Sequence, residues 1–271
     1  PLSHALLLRL SQSRHLSGRL VREEERMRSW FSSRRAAAMA MVPAVAVFAC
    51  REPAPIPFVV EQSSFSVDPK AHAPSSAALL TRGRALFEVQ CAPCHGVTGA
   101  ANGPAAYLLY PKPRNLQGGV YRFTSTWEGI PTDEDIFRVI SRGIPGSAMP
   151  PWSHLTEDDR WALVHYVKSL AQEPLVVSPT GKPNQGVVVV PAEPPDDQAS
   201  RDAGALLFKN ICAPCHGPRG QGDGPNAAAI RDDEGIPIRP RDLTSGVFKG
   251  DPRPEHLYRR IVHGIPGTPM P

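Results

Sequence analysis

Excess charge is missing from most of this chain, although its formal net charge is +4. Residues 1–49 hold eight Arg and no Lys against three Glu, and the remaining 22 basic and 23 acidic residues leave the body at −1. A body so balanced offers no electrostatic footprint for nucleic acid. Cysteine is scarce as well: five in 271 residues, four of them in two C-x-x-C pairs. No βαβ pattern surrounds either pair, which argues against a thioredoxin-type redox motif. The pairs lie 118 residues apart in separate repeats, whereas a structural zinc site holds its cysteines close. Two disulfides within the C-x-x-C pairs would suit an exported protein but would leave the following His unexplained. Also lacking in the leader is an apolar run long enough to cross a bilayer: Ala36–Ala49 gives 14 uncharged residues where about 18 are needed.

What is present begins with that leader. Arg34 and Arg35 precede the apolar run and Cys50 follows it, which is the layout of an export signal. Met27 is a suitable start, with residues 1–26 an uncertain upstream segment and 27–50 the signal peptide. Its end, VFAC, resembles a lipobox, so Cys50 is the candidate lipidation site, although Phe48 is bulkier than that pattern prefers. The alternative is a plain signal peptide or short anchor helix.

Proline then marks out the organisation, at 31 residues in the chain. Residues 51–74 read as an extended, Pro-rich tether, and residues 174–199, with six prolines, as a linker running along a surface. Within the linker, Val187–Val190 could form a short strand, but no hairpin partner is apparent nearby. Between these connectors, residues 75–173 show helical patterning. One helix starts behind Ser75–Ser76 and carries Leu79, Gly83, Leu86 and Phe87 on one face. A second opens at Thr132 with Ile136, Val139 and Ile140 inward. A third opens at Thr156 with Leu163, Tyr166, Val167 and Leu170 as its stripe.

Residues 200–271 repeat this module at a shift of 121: Gly83 maps to Gly204, Phe87 to Phe208, Ile136 to Leu257 and Gly143 to Gly264. In the middle, PRNL at 113–116 matches PRDL at 240–243 at a shift of 127, so a six-residue insertion is compensated before the end. Fixed spacing at both ends implies that something binds both ends together. The ends are specific. CAPCH stands at 91–95 and 212–216, and GIPGSAMP at 143–150 is answered by GIPGTPMP at 264–271. The distance from His to Met is 54 residues in each copy. Chance would place about 0.003 C-x-x-C-H strings in such a chain.

The chemistry that needs this set is covalent haem. Cys91 and Cys94, and again Cys212 and Cys215, suit thioether attachment to the two vinyl groups of one haem, with His95 and His216 as proximal iron ligands. Met149 and Met270, held in Gly/Pro-stiffened loops, supply the sixth ligands and favour the ferrous state. Two covalently bound haem c groups are therefore expected.

With these motifs, the chain resembles the class I c-type cytochromes over residues 75–173 and 198–271. The resemblance implies a mainly α fold: two tandem class I cytochrome c domains, each a small helical bundle around one covalent haem, the second lacking its C-terminal helix. It implies that Gly83 and Phe87 pack against Leu163 and Tyr166. It further implies a Pro carbonyl accepting the proximal His Nδ1–H, with Pro113 and Pro240 the candidates, and Arg114 and Arg241 placed to meet haem propionates. Tyr121, Phe123, Trp127 and Trp152 fit either a haem-pocket wall or ordinary core, while His154 and His165 read as packing or surface histidines. Gly204, Leu207 and Phe208 present a face with no following helix to cover it. The expectation is that the natural chain runs about 20–30 residues further.

The function expected is electron transfer without catalysis at the haems. Partners would be a quinol-oxidising complex, a terminal oxidase or a periplasmic dehydrogenase, on the outer face of the cytoplasmic membrane and held there by lipid. The alternatives are a dihaem enzyme of the peroxidase or thiosulfate-oxidising type, which would need an open iron site, and a sensor that binds gas after Met displacement.

Overall fold

The computed structural model describes residues 67–180 and 182–270. The chain divides into two units, residues 1–62 and 63–271, and every described residue lies in the second. The signal peptide and Cys50 fall outside the described residues.

The fold is mainly helical, and its only ladder pairings among the described residues are isolated bridges. No described helix is long and apolar enough to cross a membrane. Helix α1 (Ala77–Gln90) starts where Ser76 accepts the Leu79 N–H through its hydroxyl, and α2 (Ala92–His95) follows it directly. Helix α3 (Asp133–Arg142) opens in a reciprocal cap: Thr132 accepts from the Asp135 N–H while the Asp135 carboxylate accepts from Thr132. Helix α4 (Glu157–Ser169) is capped by Thr156, with Glu157, Asp158 and Asp159 at its positive end. The three helix starts read from the sequence are thus found where expected.

Helices α1 and α4 cross at Gly83. A Cβ there would lie 2.0 Å from the Ala162 carbonyl oxygen and 2.8 Å from Tyr166 Cβ, so only glycine permits this approach. The Phe87 and Tyr166 rings meet at 5.3 Å, and Phe87 shares the buried core with Leu163, Val164, Ile136, Phe137 and Ile140. The contact implied by the family resemblance is present, made chiefly through Ala162 and Tyr166 at the glycine and Leu163 beside Phe87.

The second copy keeps the order but not the burial. Helix α5 (Gln198–Leu207) runs through a π turn, Phe208–Cys212, into α6 (Ala213–His216), and α7 (Pro254–Val262) completes the described helices. A Cβ on Gly204 would meet nothing within 4 Å, and Leu207 is 60% exposed. Here the face equivalent to Gly83–Phe87 lies open.

Both connectors are tied down more than their composition implies. At the end of the tether, Glu157 accepts the N–H of Lys70 and Ala71, Trp161 donates to Ala71 O at 2.8 Å, and His165 bonds Ala73 O at 2.7 Å. His165 is therefore a packing histidine, and His154 rests beside Trp152. In the linker, Val187 forms an antiparallel bridge with Thr126. Val188 donates to Ser125 O at 2.8 Å and is 1% exposed. The strand partner that local sequence could not supply comes from the first module, 61 residues upstream. His263 and Arg259 of α7 and its C-terminal end then reach Thr124 O and Val188 O, so this strap lies between the modules.

Candidate functional site

The first CAPCH is built by the turn that ends α1. Cys94 and His95 both donate their peptide N–H to Cys91 O, and Gly96 donates to Ala92 O, which closes a single helical turn. That turn sets Cys91, Cys94 and His95 on the wall of one cavity of about 190 Å³. Met149, Pro113 and Arg114 line the same cavity, with Phe87, Leu163 and Val167 as part of its apolar wall. Tyr121, Phe123 and Trp152 also face it, whereas Trp127 bonds the strap through its peptide N–H to Gly186 O.

The imidazole of His95 is fixed by a 3.0 Å bond between Nδ1 and Arg114 O. A carbonyl can only accept, so Nδ1 carries the proton and Nε2 keeps its lone pair for a metal. Burial also favours the neutral ring, moving His95 below the usual histidine range. In the second copy His216 Nδ1 meets Arg241 O at 3.2 Å, the same bond at the equivalent residue. The expectation of a proline carbonyl is corrected here by one residue in both copies. Proline fixes its own φ, and the peptide that turns toward the imidazole is the next one. Pro113 instead contributes to the cavity wall, and the Pro240 carbonyl faces Gly222, whose Cβ would lie 2.5 Å away.

The thiols are also informative. Burial, with a smaller contribution from Cys94, pushes the Cys91 thiol up to about 12. A dithiol redox centre needs the opposite, a stabilised thiolate. The four described cysteines are unpaired with one another.

Each Met loop closes on itself in the same way. Ile144 donates to Met149 O at 3.0 Å, and Ser147 bonds Ile144 O through both its N–H and its hydroxyl while accepting the Met149 N–H at 3.2 Å. Ile265, Thr268 and Met270 repeat these contacts, with Met270 donating to the Thr268 hydroxyl at 3.3 Å. Gly143 sits at φ +66°, and a Cβ there would meet Pro150 at 2.5 Å. Ser147 and Thr268 were not singled out from sequence. The signal was available: both octapeptides place a hydroxyl two residues before the Met, where it forms a local turn with the backbone.

Three donors in the first cavity wall have no partner among the described residues: Arg114 Nη2, Tyr121 Oη and Arg122 Nε, all fully buried. Buried polar atoms are normally satisfied, so this side of the cavity is fitted to an acidic group. An apolar cleft with two thiols, an imidazole lone pair, a thioether and unsatisfied donors fits a haem, whose edge carries carboxylates.

This fold and donor set, around the first CAPCH, are those of a c-type cytochrome domain. Residues 78–167 match the family model described as cytochrome c oxidase, cbb3-type, subunit III. The chain carries a cytochrome c domain, and such a domain binds haem c covalently. Among curated proteins it is similar to the Cbb3-type cytochrome c oxidase subunit FixP of Sinorhizobium medicae (strain WSM419), 29% identical over 153 residues. That match takes in 53% of this chain and 41% of FixP, so the chain spans about two fifths of that relative. Among solved structures it is similar to a chain of the Kuenenia stuttgartiensis reducing HAO-like protein complex. That likeness has 38% identity and a TM-score of 0.63, over 75% of this chain and 89% of the other.

Proposed function

We propose that this chain is a dihaem electron-transfer cytochrome with tandem domains at 75–173 and 200–271. His95 and Met149 would ligate the first haem iron, and His216 and Met270 the second. The haems attach through Cys91, Cys94, Cys212 and Cys215 and, when bound, supply reversible one-electron chemistry. The protein's part would be to offer each iron one imidazole and one thioether. Arg114 O and Arg241 O orient the imidazoles, and the hydroxyls of Ser147 and Thr268 keep the methionine loops closed. Arg114, with its unsatisfied Nη2, is a propionate ligand. Arg241 serves the second site, where its Nε donates to Val247 O at 2.7 Å.

The observation that carries this reading is the recurrence, in both copies, of the contacts that position the His and the Met. The Nδ1–carbonyl bond, the Met loop and its hydroxyl all repeat, and His and Met stand 54 residues apart in each copy. A site with two strong protein ligands leaves no open position for substrate, which favours a carrier over a peroxidase-type enzyme. The named relatives, an oxidase subunit and a chain of a HAO-like complex, favour a role as the electron-transfer subunit of an oxidoreductase assembly. We further propose export to the periplasmic side, with Cys50 the candidate lipid anchor and a quinol-oxidising complex, terminal oxidase or dehydrogenase as partner.

Substitution of one methionine tests the ligand assignment. Met149→Ala in the holoprotein is expected to make one haem high-spin or water-ligated and to halve the weak near-infrared charge-transfer band of ferric Fe–S(Met) ligation. Full retention of that band would refute it.

A further inference from the structure

The first cavity holds one side chain from the second copy. Lys249 lies in its wall with Tyr121 and Arg122, while His95 and Met149 line the same space. Lys249 stands where the repeat puts Arg122: Gly-Val-Tyr-Arg at 119–122 is answered by Gly-Val-Phe-Lys at 246–249, at the shift of 127 that aligns PRNL with PRDL. Its surroundings are cationic. Burial works against the charge on Lys249, and the guanidiniums of Arg122 and Arg241 add to that effect. The carboxylates on this side are already engaged: Asp135, in the same cavity wall, accepts from Ser125 at 2.8 Å, from the Thr132 N–H at 3.0 Å and from Arg138 at 3.4 Å, while Asp232 accepts from Arg122 at 2.7 Å and Asp233 and Glu234 face Arg114. No carboxylate pairs with Lys249 among the described residues.

Gathering like charges at the mouth of an apolar cavity is unfavourable unless an anion joins them. Arg114 Nη2 and Arg122 Nε, buried and unsatisfied, already mark this side as short of an acceptor. We propose that Lys249 is a propionate-binding residue of the first haem, so that the second module completes the first module's cofactor site. This rests on the dihaem reading above. It makes the two modules a single redox unit, because displacing the second module would remove a cation from the first haem's edge.

A cation near the haem disfavours the ferric form, so its loss lowers the potential. The test is a mediated redox titration of the full-length holoprotein, with the two potentials assigned through Met149→Ala. Lys249→Met, which keeps most of the stem, is expected to lower the first haem's ferrous-to-ferric ratio at the wild-type midpoint by about 3- to 10-fold. Lys249→Arg should hold the wild-type value and Lys249→Glu should exceed the Met effect. Resonance Raman propionate bending modes should shift for one haem in Lys249→Met and recover in Lys249→Arg. An unmoved first potential with unchanged propionate modes, or a larger shift at the second haem, would overturn the proposal while leaving two His/Met haems intact. Wild-type protein lacking two such haems would instead overturn the dihaem reading and this proposal with it.

Discussion

Gly83 and Gly204 occupy the same place in the repeat, yet alanine should have opposite effects at the two sites. In α1 a Cβ on Gly83 would stand 2.0 Å from Ala162 O, 2.6 Å from its carbonyl carbon and 2.8 Å from Tyr166 Cβ. Ordinary contact begins near 3.4 Å, so the α4 backbone must retreat by more than an ångström. The obstacle is main chain, which cannot change rotamer. Such overpacking costs about 1–3 kcal/mol, set against about 0.5–1 kcal/mol gained when a helical Gly becomes Ala. Gly83→Ala should therefore destabilise the first module by about 0.5–2 kcal/mol. Gly204→Ala meets nothing and keeps only the gain, about 0.5–1 kcal/mol. Thermal melting of the two holoprotein variants should show the opposite signs, and peptide-resolved hydrogen exchange should localise the loss to residues 77–90 and 157–169. A Gly83→Ala protein as protected as wild type across both helices would show that the crossing is looser than described.

The remaining predictions concern loops and ion pairs. Ser147→Ala removes the hydroxyl that accepts from Met149 and is expected to weaken the closed loop by about 1 kcal/mol. The first haem should then bind exogenous imidazole about fivefold more tightly, and Thr268→Ala should do the same at the second; unchanged imidazole titrations would remove the role given to these hydroxyls. Asp68 is held at about 2, chiefly by the Arg253 hydrogen bond and against the effect of burial, with Arg138 adding to the hold. A carboxylate lowered in this way stabilises the fold above its unfolded value near 4, and the contribution is lost as pH falls toward 2. Asp68→Asn should thus weaken the link from the first module to Arg253 at neutral pH and match wild type near pH 2. A stability difference that does not depend on pH would contradict this.

Much of the first module was legible because its signals are local. Thr132, Thr156 and Ser76 are cap residues that act within three positions, and Gly83 through Phe87 form a face that a regular period exposes. The cofactor motifs were legible for the same reason, as short strings at a fixed separation. What sequence reading missed depends on where distant backbone turns. The carbonyl that fixes each imidazole belongs to Arg114 or Arg241, and nothing in PRNL or PRDL distinguishes it from the proline one residue earlier. Val187 found its partner at Thr126 only because the linker folds back over the first module. Lys249 gave no signal in its own segment, since the cavity it enters belongs to the other copy.

If each repeat carries its own covalent haem, counting the haems on one polypeptide shows it. The chain should be expressed in a host with cytochrome c maturation, its intact mass determined and its haem quantified as the pyridine haemochrome per polypeptide. Two haems per chain are expected, one after Cys212→Ala with Cys215→Ala, together with a mass gain that survives denaturation. A chain that carries only one haem, or loses haem on unfolding, would contradict this.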